Sequence, residues 1–155
     1  IGKLISTNYY KFDYSKDVRG VEICSAVKNL YSMIIGSGEG LNTASVLFRN
    51  SISEMVYLIK FFKGKEETVF SLAGLGDLYV SALGGRNSKM GKYLGEGYLY
   101  KEAKEKFMKS TTVEGAELAL EIGPKLMAKF DKHKFPLLFS ILECICENKK
   151  LQIDW

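Results

Sequence analysis

The sequence predicts an all-α domain, and three observations carry that prediction. Apolar residues recur at helical spacing from Asp17 almost to the end of the 155-residue chain. Helix punctuation marks the same segments: Asp17 precedes one, Thr111-Thr-Val-Glu114 another, and Pro136 opens the last. Only one short aromatic run, near the start, reads as a strand. No strand followed by a GxGxxG turn appears, so an α/β nucleotide fold is not contained in these residues.

Taken in order, Ile1–Thr7 reads as the end of a helix, and Tyr9–Tyr14 (YYKFDY) as a strand. A strand alone has no partner in a helical domain. It fits the last strand of a sheet whose other strands lie elsewhere, so residues 1–16 are expected to be the remnant of a preceding domain and 17–155 the helical one. Asp17 caps a helix over roughly Val18–Ile35, in which Ile23, Val27, Leu30 and Ile34 share a face. Lys28 stands on a helix apolar around most of its circumference, and a lysine there needs a partner or a task. The run Gly36-Ser-Gly-Glu-Gly40 follows no strand and reads as a helix end rather than a phosphate loop.

Asn42 or Thr43 then opens a helix to about Phe62, with Ala44, Leu47, Phe48, Ser51, Ile52, Met55, Ile59 and Phe62 inward and Arg49 and Glu54 elsewhere. Glu66–Leu72 is a short helix, and Arg86–Leu94 another that Gly95 and Gly97 end. Lys101–Lys109 is an exposed charged helix with Phe107 and Met108 turned inward. Thr111–Glu114 reads as a capping box for a helix that Gly123-Pro124 interrupts. His133, the single histidine, sits among lysines and reads as a surface residue. Pro136 starts a last helix to about Cys146, after which Trp155 packs or frays with the tail.

Composition excludes several classes. The chain is 46% hydrophobic and 26% charged, a globular balance of one domain. A net charge of +4 is mildly basic and lacks the clustering of a nucleic-acid binder. Three cysteines form no disulfide framework and read as free thiols. Cys144 and Cys146, two apart on a helix, point to nearly opposite sides, which argues against a shared metal, and no metal is expected. No apolar run reaches the ~18 residues of a membrane span. The chain begins without Met and in mid-pattern, which suggests a piece of a longer protein.

Chemistry concentrates in Leu72–Gly91, LAGLGDLYVSALGGRNSKMG, which holds five of the 15 glycines. Against 19 lysines the chain has three arginines, and one of them, Arg86, follows a Gly-Gly turn. Its planar fork suits a phosphate or carboxylate, although a solvated turn between two short helices is the plainer alternative.

Together, GVEICSAVKN from Gly20, then EGLNTA, SEM and AGLGDLYVSALGGRN resemble, in order and spacing, the C-terminal half of the NAD(P)-dependent glycerol-3-phosphate dehydrogenases. The likeness runs from about Tyr10 to the TTVEG ending at Gly115, and more weakly beyond Pro136. It implies a multi-helical domain like the C-terminal domain of 6-phosphogluconate dehydrogenase, preceded by a Rossmann domain that binds most of NAD or NADP. It implies reversible reduction of dihydroxyacetone phosphate to sn-glycerol 3-phosphate, in the cytoplasm and feeding phospholipid synthesis. It implies Lys28 as the catalytic acid with Asp77 beside it, and Asn29 as a contact to substrate or cofactor. Arg86 and Asn87 match the GGRN pair that grips the substrate phosphate and reaches the dinucleotide. Ser81 stands where the family usually has threonine. Lys89 is offset from the family's second basic position, which leaves its role open. The implied partners are the substrate pair and the chain's own N-terminal domain, with a homodimer left open and no nucleic acid or membrane. By itself the chain is expected to fold cooperatively and to be inactive. Two alternatives remain: a related hydroxyacid or ketopantoate-type dehydrogenase domain, and a basic helical RNA-binding module motivated by Lys101, Lys104, Lys106 and Lys109.

Overall fold

The computed structural model describes residues 2–10 and 13–153, and among them every regular element is helical. The order is α1 (Gly2–Ile5), α2 (Val18–Ser37), α3 (Gly40–Phe61), α4 (Glu66–Val69), a π turn (Leu72–Gly76), α5 (Asp77–Ala82), α6 (Arg86–Gly95), α7 (Tyr100–Phe107), α8 (Glu114–Lys129), a 3₁₀ turn (Lys132–Lys134) and α9 (Pro136–Cys146). No helix among the described residues is long and apolar enough to cross a membrane.

Helix α2 is the axis of the domain and touches α3, α4, α5, α6, α8 and α9. Its residues Leu30–Ile35 are buried without interruption, so this half of the helix is enclosed on all sides, whereas the first half keeps Arg19, Glu22 and Ser25 exposed. Asp17 caps it as expected, accepting from the Gly20 N–H at 3.1 Å. The same carboxylate accepts from the Lys65 N–H and the Thr68 hydroxyl, both at 2.7 Å, and so ties the start of α2 to α4. These bonds hold the Asp17 carboxyl below its ordinary range.

Helix α6 lies closest to α2. A Cβ on Gly91 would stand 1.9 Å from the Met33 carbonyl oxygen, so only glycine lets the two backbones meet. Gly91→Ala is therefore expected to push α6 off α2 and to lower the unfolding free energy by about 1–3 kcal/mol or more. Denaturant unfolding of the variant checks this, and an unchanged midpoint would mean that α6 adapts.

Several expectations change. In the expected strand, Tyr9, Tyr10, Asp13 and Tyr14 are not in a strand, Tyr9 is almost fully exposed and Tyr14 largely so, and Lys11 and Phe12 lie outside the described residues. The described chain offers no strand for them to pair with. Helix α3 opens at Gly40, not Asn42 or Thr43, because Gly40 adopts φ +79° and turns the chain directly out of α2. Phe62 is not a core residue. It is partly exposed and packs edge-on against Phe61 and Phe130. Gly123-Pro124 does not interrupt α8, which runs through Pro124. Leu120, whose carbonyl loses its donor there, is half exposed, where water can replace the missing N–H. Asp154 and Trp155 lie outside the described residues.

The largest correction concerns Glu54, which is only 4% exposed. Helix α9 begins at Pro136 after Phe135, which has no side-chain cap to offer. The Leu137 and Leu138 N–H groups are thus left over, and Glu54 reaches across from α3 to accept both, at 2.8 and 3.0 Å. The Tyr31 hydroxyl of α2 donates to the same carboxylate at 3.0 Å. One acid therefore caps α9 and joins it to α2 and α3.

Candidate active site

The same central helix carries Lys28 and Asn29 to the edge of the domain. The Lys28 side chain is 17% exposed, too buried to be an ordinary surface lysine, and it forms an ion pair with Asp77, 49 residues further on. Asp77 is delivered by the glycine-rich segment. Leu72–Gly76 winds into a π turn, a wider turn than the α-helix and one that recurs at functional sites. A Cβ on Gly74 would meet the Val69 carbonyl at 2.2 Å, so glycine is what lets the turn fold back on α4. The turn runs directly into α5, whose first residue is Asp77 and whose next, Leu78, is fully buried as its anchor. Ser81 follows one turn later, and its hydroxyl bonds to no other group among the described residues.

Arg86 and Asn87 are the first two residues of α6, after an extended Gly85 with no side-chain cap. The first N–H groups of such a helix lack intrahelical partners and give it a positive end. Asn87 is 6% exposed and fully engaged. Its Oδ1 accepts from the Gly115 N–H at 2.9 Å, and its Nδ2 donates to Asn29 Oδ1 at 3.1 Å and to Glu114 Oε2 at 3.5 Å. The Asn29–Asn87 bond joins the lysine side of the cluster to the arginine side. The Arg86 guanidinium, 57% exposed, pairs with Glu114.

The structure therefore brings Lys28, Asn29, Asp77, Arg86 and Asn87 into one connected cluster, with Ser81 one turn from Asp77. Lys89 is exposed on α6. Glu114 is the residue that sequence reasoning assigned elsewhere. The cap of α8 is Val113, without a side-chain bond, and Glu114 is already inside the helix, so the capping box does not form. Its carboxylate turns to Arg86 and Asn87 instead. An acid in the first turn of a helix is common, and nothing local distinguishes this one.

Other candidate chemistry falls away from the cluster. Burial pushes the Cys24 thiol up to about 11 and the Cys144 thiol up to about 12, which leaves both as inert packing groups. His133 is exposed in the 3₁₀ turn. Three of the four lysines in and just after α7 are spent on the protein itself. Lys104 donates to the carbonyls of Met108 and Lys109 just past the helix, Lys109 pairs with Glu105, and Lys106 lies 5.1 Å from the Phe107 ring centre.

Residues 17–153 match the profile described as the NAD-dependent glycerol-3-phosphate dehydrogenase C-terminus. The chain belongs to that family. It is 34% identical to an NADP(+)-dependent glycerol-3-phosphate dehydrogenase of Archaeoglobus fulgidus, with 97% of this chain and 48% of the relative covered. It is 38% identical to a glycerol-3-phosphate dehydrogenase [NAD(P)+] of Onion yellows phytoplasma, covering 98% of this chain and 47% of the relative. Among solved structures, the glycerol-3-phosphate dehydrogenase of Coxiella burnetii superposes with a TM-score of 0.82 at 29% identity, over 97% of this chain and 47% of that one. The enzyme of Saccharomyces cerevisiae, at 24% identity and a TM-score of 0.85, shares the fold over 97% of this chain and 45% of its own. The chain thus spans about half the length of the curated relatives it matches.

Proposed function

We propose that this domain supplies the proton donor and the phosphate grip for reversible reduction of dihydroxyacetone phosphate to sn-glycerol 3-phosphate. The observation that carries the reading is the Lys28–Asp77 ion pair, a mostly buried ammonium held in the cluster that Arg86 completes. Carbonyl reduction develops negative charge on oxygen, and a positioned ammonium both stabilises that charge and donates the proton. Asp77 holds the Lys28 ammonium and offsets its charge. Arg86, the uncapped first turn of α6 and the free Ser81 hydroxyl supply donors for a phosphate. Because the Asn87 side chain is saturated by protein partners, its contribution to a ligand is assigned to its backbone N–H.

A nicotinamide cofactor, when bound, supplies the hydride. The donors offered here suit part of it: the Asn29 amide nitrogen has no partner among the described residues, and the Arg86 fork is more than half exposed. Most of its binding is assigned to a dinucleotide-binding domain, of which residues 1–16 form the tail. The choice between NAD and NADP belongs to that domain. The reading places the reaction in the cytoplasm, upstream of glycerophospholipid synthesis.

Arg86→Ala in a chain that carries both domains tests the phosphate assignment. It is expected to raise KM for dihydroxyacetone phosphate by about tenfold or more, the worth of a charge-assisted contact. The loss with unphosphorylated dihydroxyacetone is expected to be much smaller. Equal losses with both ketones would remove Arg86 from the phosphate site.

A further inference from the structure

We infer that Asn87 is a positioning residue that sets the polarity of Asn29, so that Asn29 presents a hydrogen-bond donor, and only a donor, beside Lys28. The inference rests on the proposed reading for what Asn29 touches, but the polarity itself follows from the protein's own bonds. A backbone N–H can only donate. Gly115 N–H, in the first turn of α8, therefore selects the oxygen of the Asn87 amide, at 2.9 Å. That choice turns the Asn87 amide nitrogen toward α2, and an NH₂ group can also only donate. Asn29 must then meet it with its oxygen, as it does at 3.1 Å. Glu114, an acceptor near the same nitrogen at 3.5 Å, reinforces the orientation. Flipping either amide would set donor against donor or acceptor against acceptor in a site where Asn87 is 6% exposed.

The outcome is a relay that starts at the α8 backbone, crosses the α6 side chain and ends on α2. Each link has one permitted direction. Asn29 Nδ2, at the open end, has no partner among the described residues. It is aimed at an acceptor: a carbonyl-type oxygen, whether of a ketone or of a carboxamide. A ligand that offers a donor in that position meets another donor. The TTVEG segment, remote from Lys28 in sequence, thereby decides what the residue next to Lys28 can recognise.

The test reads amide orientation rather than turnover, so failure of the Lys28 assignment leaves it intact. In the ¹⁵N-labelled chain, the Asn87 side-chain NH₂ protons are expected to exchange with water about tenfold or more slowly than those of Asn29, as a bonded amide does against a free one. In Asn87→Asp, which keeps the shape and the bond to Gly115, a second carboxylate oxygen now faces Asn29. The Asn29 amide is expected to turn over, and its NH₂ exchange to slow by about the same factor. A merely structural role for Asn87 would leave Asn29 exchange unchanged or faster. Slow Asn29 and fast Asn87 exchange in the unaltered chain would overturn the relay even if the variant fails to fold. An Asn29 that does not respond in a folded Asn87→Asp chain would overturn it as well. In a two-domain enzyme, Asn29→Asp, which presents an acceptor to an acceptor, is expected to lower kcat/KM by about tenfold to a hundredfold. Unchanged kcat/KM there would show that no acceptor is read at this position.

Discussion

Lys28→Ala, in a chain carrying both domains, is expected to lower kcat by about 10²–10⁴, the usual worth of a positioned proton donor. The expectation comes from its setting. Lys28 is the one lysine on a helix whose next residues, Leu30–Ile35, are all buried, its side chain is 17% exposed, and its ammonium is held by Asp77. The loss should fall on kcat more than on KM, because the proton is needed as the alkoxide forms and not when the ketone binds. A kcat within a factor of about two of the parent would remove Lys28 from the proton-transfer step. Asp77→Asn separates the two roles further. It keeps the shape of the contact but removes the charge, so a loss smaller than that of Lys28→Ala would mark Asp77 as the holder and Lys28 as the donor.

The largest expected effect on stability is at Glu54. Glu54→Ala leaves the Leu137 and Leu138 N–H groups and the Tyr31 hydroxyl without their shared acceptor in a buried site. It is expected to cost about 3–5 kcal/mol, combining unpaired donors with a cavity. Glu54→Gln is nearly isosteric but can offer one oxygen where two are used. Its amide nitrogen then faces a backbone N–H, and a loss of about 1–3 kcal/mol is expected. Denaturant unfolding of the 155-residue chain measures both, and an alanine variant within about 1 kcal/mol of the parent would mean that water replaces the carboxylate.

The same residue gives a pH signature whose sign can be worked out. Burial pushes the Glu54 carboxyl up from its ordinary 4.5 to about 7, against the opposing pull of its three hydrogen bonds. The folded state therefore binds this proton more tightly than the unfolded state does. The stability linked to Glu54 is fully present below about 4.5 and is lost as pH rises through about 7. The loss amounts to about 3 kcal/mol. The Gln variant lacks this titration, so the gap between parent and variant should be wider at acid pH than above neutrality. Equal gaps would show that Glu54 ionises as it does in the unfolded chain. While it is protonated, its O–H can donate to the Tyr31 oxygen, so the cap on α9 survives the change of charge.

Much of this molecule was legible as local pattern. Asp17 as a cap, the span of α2, the start of α9 at Pro136 and the inward Met108 all follow from helical period and punctuation, which act within a few residues. The motif likeness likewise singled out Lys28, Asn29, Asp77, Ser81, Arg86 and Asn87. What helical period and punctuation could not convey is which distant groups meet. Glu54 looked like a residue outside the core stripe of α3, yet it is buried, because the helix start that needs its two oxygens lies 83 residues further on. Thr111–Glu114 had the letters of a capping box, yet Glu114 turns to Arg86 across the domain. The aromatic run at Tyr9–Tyr14 had strand chemistry, but a strand needs a neighbour, and the described residues offer none.

By itself the sequence determined where most of the helices lie, because helical period is set by contacts three and four residues apart. Only the tertiary structure decided the ion pair of Lys28 with Asp77, the direction of the Asn87–Asn29 relay and the burial of Glu54. Each of these joins groups at least 23 residues apart, and their free energy depends on the desolvation and geometry that packing alone supplies.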